Sequence, residues 1–351
     1  MPDLLIIVVL TVHLLAMNLA SAGPLLCIWL ARCPNPNPIT DASDPLREGV
    51  GQTLAWLSVW AMMLGMLTGG LLYVSPSAGW TAALSRLPSR ALWYAAAELA
   101  FSLICLLIYA GRWRALRRHR WWHALLAVAS SSNLLYHFPP LMSVLGKLAA
   151  NPIWASAETL DRTRLLPLMM RGEVLALSTH FVLASVAVAA IAMLGLLSKF
   201  NEDRWREFAL PLSRRAAWIA LLSSVLQVPA GIWLLASLPH SARRAMMGSN
   251  AMVSLAFIGA LLLTFMLLQR LLTIAVGSVR PSDLRPVSWL LVILVLLMAA
   301  TLHGSRKKNV PANKKTAAKH SVSRLLHSTA AGSANLTLPK ISKRASRYLF
   351  A

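Results

Sequence analysis

Acid is the scarcest ingredient of this sequence: 12 Asp and Glu stand against 34 Lys and Arg in 351 residues, a net charge of +22. From residue 304 onward there is no acid, while 11 Lys or Arg are present. Charged residues of both signs make up only 13% of the chain and hydrophobic residues 57%, which excludes an ordinary soluble domain and points to a polytopic membrane protein. Cysteine is also sparse. Cys27, Cys33 and Cys105 show no CxxC or CxxCH spacing, which argues against a zinc site, a disulfide framework and covalently attached c-type haem. The opening MPDLLIIVVL lacks a basic segment before its apolar run, and that run is too long and has no clear small-residue cleavage site. It reads as a retained first helix rather than a signal peptide.

What the chain has instead is long apolar runs. Residues 173–198, EVLALSTHFVLASVAVAAIAMLGLLS, are long enough at about 1.5 Å per residue to cross a hydrocarbon layer of about 30 Å. Seven similar runs give eight predicted spans in all: 4–30, 53–75, 91–111, 121–146, 173–198, 215–238, 245–269 and 286–303. The predicted fold is therefore all-α, a polytopic membrane helix bundle over 1–303 followed by a basic, disordered tail over 304–351. Trp29, Trp56, Trp80, Trp113, Trp121, Trp122 and Trp289 cluster near span ends, as interface anchors do. The basic tail reads as a solvated extension near anionic lipid headgroups and not as a nucleic-acid-binding arm.

Lys and Arg in the loops set the expected orientation. With the N-terminus outside, the inner loops carry fifteen, including the dense RWRALRRHR of 112–120, against eight in the outer loops. Eight spans then put the basic tail outside too, in conflict with the same rule. The expected location is the inner (cytoplasmic) membrane.

Polar groups inside the spans are the candidates for chemistry, because an unsatisfied polar group in lipid costs several kcal/mol. Span 1 carries His13 and Asn18, and span 2 ends in GMLTGG, where Gly65, Gly69 and Gly70 permit close helix approach and Thr68 offers a hydroxyl. Apart from Glu173 at the first position of span 5, Glu98 is the only acid within any span, a candidate for proton conduction, cation binding or pairing with a buried cation. Span 4 gathers Ser130 to Asn133 and His137 before Pro139 and Pro140, which are expected to break the helix. Span 5 carries His180, span 6 has Gln227 beside Pro229, and span 7 opens with Arg243, Arg244, Met246 and Met247. On one axis His13, Thr68, Glu98, His137, His180, Arg244 and Met246 all fall in the outer half. Scattered packing histidines have no reason to share a depth, whereas groups around one buried cofactor do.

Imidazole and thioether ligate haem iron, and an arginine pairs with a haem propionate. The same donors with a carboxylate also suit copper, and the histidine and glutamate suit a proton-coupled membrane transporter. Spacing alone leaves these open.

The chain resembles subunit I of the cytochrome bd-type quinol oxidases over about residues 1–270. The resemblance rests on Gly65, Thr68 and Gly69 in a GxxTG motif; on Ser132–Asn133 and then Asn151–Pro152; on His180 followed by KFNEDRWREF and Arg214, Arg215; and on Arg244, Met246 and Gly248 in an RxMxG motif. It implies a haem-binding electron-transfer subunit with His180 and Met246 as axial ligands of a haem b. His13 is implied as ligand of a second haem, Arg244, Thr68 and Asn133 as cofactor contacts, and Glu98 as a proton route. Implied partners are other membrane subunits and quinol, in a quinol-linked oxidoreductase of the respiratory chain. The chain departs from the family where LPHSARR replaces a long quinol-binding loop, and span 8 lacks the family's late glutamate. The low-spin haem site is the part best matched. A non-catalytic scaffold subunit is the alternative those departures suggest.

Overall fold

A computed structural model describes residues 3–32, 44–75, 79–150, 159–200, 208–277 and 279–307. Cys33, Asn151–Pro152, most of KFNEDRWREF and the tail from 308 lie outside the described residues. Every regular element among those described is helical. In order they are α1 (Asp3–Arg32), α2 (Asp44–Tyr73), α3 (Trp80–Leu84), α4 (Ser89–Gly111), α5 (Trp113–Arg118), α6 (Arg120–Ser132), a π turn (Asn133–His137), α7 (Phe138–Ala150), α8 (Arg162–Met169) and α9 (Gly172–Leu197). Then follow α10 (Leu210–Ser237), α11 (His240–Arg244), a second π turn (Ala245–Ser249), α12 (Ala251–Val276), a 3-10 turn (Pro281–Leu284) and α13 (Arg285–Lys307).

Among the described residues seven helices are long and apolar enough to cross a membrane, as in a polytopic helical bundle. The remaining predicted span, span 4 at 121–146, is not one α-helix: α6, the π turn and α7 run end to end from Arg120 to Ala150. Pro139 and Pro140 do not break it. The widened turn is closed by Phe138 N–H donating to the Asn133 carbonyl, and both prolines fall in the first turn of α7, where a missing N–H costs least. Span 7 also starts later than predicted, at Ala251, because Gly248 takes φ 120° and the chain turns there. Trp113 is not an interface anchor but is 2% exposed in the core.

The described chain is two four-helix halves built to one plan. In the first, α1 packs on α2, α2 on α4, α4 on α6 and α6 back on α1; in the second, α9 packs on α10, α10 on α12, α12 on α13 and α13 back on α9. Between the halves, α1 meets α9, and the contact of α1 with α13 mirrors that of α9 with α7. Sparse sequence marks follow the same plan. Pro45 and Pro211, Ser58 and Ser224, Gly65 and Gly231, and His137 and His303 are all 166 positions apart, and His13 and His180 are 167 apart. Glu98-Leu-Ala-Phe and Ser254-Leu-Ala-Phe match in α4 and α12.

The helices touch through small residues, as expected where lipid removes the hydrophobic drive between them. A Cβ on Gly23 would collide with Ser58 Oγ, and one on Gly65 would meet Met17. Gly70, by contrast, has open space and plays no packing part.

Candidate functional site

His13 lies on α1 against the glycine face of α2. Its Nδ1 is 2.9 Å from the Gly65 carbonyl, and Thr68 Oγ1 is 3.4 Å away. A carbonyl only accepts, so Nδ1 carries the proton and Nε2 keeps its lone pair free for an incoming group. Thr68 donates its own hydroxyl to the Leu64 and Gly65 carbonyls at 2.7 and 3.1 Å. Gly69 makes this possible, since a Cβ there would sit 3.0 Å from the imidazole Cε1. His13, Thr68, Gly65 and Gly69 thus come together as one unit.

Glu98 finds a partner that its sequence neighbourhood does not reveal. Its Oε2 lies 2.5 Å from His137 Nδ1, and the two side chains are 34% and 33% exposed. The π turn ends at His137 and presents that ring toward α4, while Asn133 opens the same turn.

Asn18 and Ser185 join the halves: the Ser185 hydroxyl donates to Asn18 Oδ1 at 2.7 Å, and Asn18 Nδ2 donates to the Leu14 carbonyl at 2.8 Å. His13 and His180 each stand five positions before this bond on α1 and α9. The two imidazoles differ in one respect. His180 Nδ1 is buried without a hydrogen-bond partner among the described residues, whereas His13 Nδ1 is tied down.

Met246 sits buried in the second π turn, packed with Ala245 and Val253 and flanked by Leu235, Leu238 and Phe257. Ser254 holds the turn in place by accepting from Gly248 N–H at 2.9 Å and donating to the Ala245 carbonyl at 3.0 Å. α9 and α12 both pack on α10 and α13, so His180 and the Met246 turn belong to opposite corners of the second half. Arg244 is exposed. Its neighbour Arg243 is half-buried, with Nε buried and unpartnered among the described residues.

Ser254 and Ser185 are the contributors that sequence reasoning passed over, while Arg243 was noted only beside Arg244. The signal for Ser254 was the Leu-Ala-Phe that follows it, as it follows Glu98. Among the described residues no three His, Cys, Asp or Glu side chains gather into a metal cluster. Cys27 and Cys105 are free thiols, each buried.

No protein-family model, no curated protein and no solved structure matches the chain.

Proposed function

We propose that the chain is a haem-binding electron-transfer subunit of a membrane complex, similar to subunit I of the cytochrome bd-type quinol oxidases. The observation that carries this reading is the buried Nδ1 of His180, a polar atom inside a membrane-spanning helix with no described partner. Such an atom is costly unless something outside the protein chain completes it. The donor set suits a b-type haem: His180 and the buried thioether of Met246 would hold its iron, and Arg243, rather than the exposed Arg244, would pair with a propionate. Opposite corners of a four-helix bundle are where a cofactor in its core is held. When bound, the haem supplies one-electron chemistry at a potential raised by the methionine. His13, with Nε2 free, is the candidate ligand for a second haem.

Glu98 and His137 can pass a proton between Oε2 and Nδ1, and their partial exposure calls for water or another membrane subunit on that side of α4. A reduced-minus-oxidised optical spectrum of the purified chain tests the proposal. The expected result is b-type bands that vanish in His180→Ala and shift in Met246→Leu. An iron-free protein, or bands indifferent to both changes, overturns it.

One observation favours a second reading, a proton-coupled transporter. The halves repeat one packing order, internal repeats are an arrangement that transporters use, and the Glu98–His137 pair is a protonatable site within it. Proton-driven uptake into liposomes that is abolished by Glu98→Gln would support it, and uptake indifferent to that change would remove it.

A further inference from the structure

The first half carries a cap that neither the candidate ligands nor the Glu98–His137 pair uses. α3, the far part of α7, α8 and the first turn of α9 share a small core that includes Ala83, Leu87, Leu148, Leu160, Leu168 and Val174. Leu160 N–H donates to the Arg86 carbonyl at 2.8 Å, which ties the connector between α3 and α4 to the segment that leads into α8. These pieces are therefore neighbours. α9 has 26 residues, about 39 Å at 1.5 Å per residue, and outruns a hydrocarbon layer of about 30 Å, so α8 just before it belongs to the headgroup level or beyond.

The cap is cationic and keeps its few acids occupied. Over its described residues, 79–90, 147–150 and 159–173, six Lys or Arg stand against two acids. Asp161 accepts from Arg164 N–H at 3.0 Å as the cap of α8, and Glu173 accepts from Lys147 Nζ at 2.7 Å. Arg90, Arg162 and Arg164 are exposed, and Arg90 and Arg162 meet no carboxylate among the described residues. Arg162, Leu166 and Met170 are spaced by four and so fall on one face of α8, where Leu166 is 56% and Met170 62% exposed. An apolar strip with cations at its edge is the composition of a protein docking face: the strip supplies contact and the rim steers an acidic partner. The cap also stands directly over a candidate ligand. His180 is eight residues into α9 from Gly172, about 12 Å along the helix axis.

We propose that this cap, centred on Arg162, Leu166 and Met170 with Arg90 and Arg164 at its rim, docks a soluble one-electron carrier protein that has an acidic face around its redox centre. The inference rests on the haem-binding reading above and names the electron donor for it. In the step inferred, the reduced carrier loses one electron and ferric iron at the His180 site gains it, with no bond or proton exchanged.

The test uses the full chain purified in detergent, with two probes: plant-type [2Fe–2S] ferredoxin, an acidic one-electron carrier of about −400 mV, and cytochrome c, a basic one. Binding is read by microscale thermophoresis, and electron entry by stopped-flow absorbance at the b-type bands after mixing with reduced ferredoxin. Ferredoxin is expected to bind and to reduce those bands, with affinity falling about tenfold from low to physiological salt, and cytochrome c to do neither. Arg162→Glu with Arg164→Glu should weaken ferredoxin binding about thirtyfold. Arg118→Glu, on α5 beyond the other end of α4, should leave it unchanged. If the double variant fails to fold, Arg90→Glu carries the test with about a fivefold loss expected, since an acid suits the first turn of α4. Equal or tighter binding of cytochrome c, or ferredoxin affinity that ignores the arginine changes, overturns the proposal. Binding that survives in phosphatidylcholine nanodiscs but is lost in phosphatidylglycerol nanodiscs also overturns it and assigns the cap to anionic headgroups. The two readings fail separately: charge-dependent ferredoxin binding to a chain without b-type bands upholds the docking face and overturns the haem, whereas b-type bands without ferredoxin binding overturn the docking face alone.

Discussion

The two halves of the bundle share helix order and packing partners yet put equivalent positions to different uses. In the first, Glu98 meets His137; in the second, Ser254 replaces the acid and clamps the Met246 turn, while His303, at the place of His137, reaches Asp3 of α1 at 3.4 Å. His13 is held by the Gly65 carbonyl, whereas its counterpart His180 keeps a buried nitrogen unpartnered among the described residues. One helical scaffold therefore carries an acid–imidazole pair on one side and a pair of candidate ligands on the other. Common packing with divergent polar residues is what is expected if the fold is fixed by small-residue contacts and the chemistry by a few substitutions within it.

The largest expected effect separates the paired histidines. His180→Ala should remove the b-type bands of the haem assigned to His180 and Met246 while His13→Ala leaves those same bands in place. Loss of both signals together would mean the halves are not specialised as described. Next is the α1–α2 contact: Gly23→Leu forces a side chain against Ser58 and should destabilise the chain by about 3 kcal/mol, read as a lowered melting temperature in detergent. The equivalent position in α9, Ala190, already carries a Cβ and is fully buried, so Ala190→Gly should cost about 1 kcal/mol instead.

Ser254→Ala removes two hydrogen bonds from the Met246 turn and should cost about 2 kcal/mol, with faster amide exchange at Gly248 as its local signature. Glu98→Gln keeps the shape of the other half's pair but removes its charge, for an expected loss of about 1 kcal/mol. The smallest effect lies outside the spans. Asp161 caps α8, and its carboxyl is held below the ordinary carboxylate value, first by the Thr163 hydroxyl at 2.9 Å and then by Arg164 N–H at 3.0 Å. Because the folded value is the lower one, this contribution is present above the unfolded value and disappears as pH falls through the folded value. Asp161→Ala should therefore speed amide exchange at Arg164 near neutral pH, and the difference should close on acidification.

Much of the bundle was legible in the sequence because crossing a membrane demands uninterrupted apolar length, and length survives any detail of packing. Seven spans follow directly from it. What failed was local. The Pro139–Pro140 pair reads as a break only if the preceding turn is α-helical, and a π turn removes that premise. Met246 and Met247 are apolar enough to extend a span, so the bend at Gly248 was hidden behind them. For the site, the types of residue were visible and their pairings were not. His13 with Thr68 follows from facing helices in adjacent spans, but nothing near Glu98 in the chain announces His137, 39 positions away. The repeat was missed because only isolated marks such as Gly65 and Gly231 persist, and apolar residues interchange freely between them.

The π turn at Asn133–His137 holds one residue more than an α-helical turn of the same height, so everything after it is rotated by about a quarter to a third of a revolution relative to an unbroken helix. Ala127 before the turn, Leu134 within it and Phe138 just after it belong to the main core; further on, Leu141, Val144, Leu145 and Leu148 build a separate one with Leu87, Leu160 and Val174. A single inserted residue thus lets one rod serve two hydrophobic neighbourhoods. Excising it, by deleting Leu135 alone, would restore the ordinary pitch and swing α7 off the second cluster, carrying His137 away from Glu98.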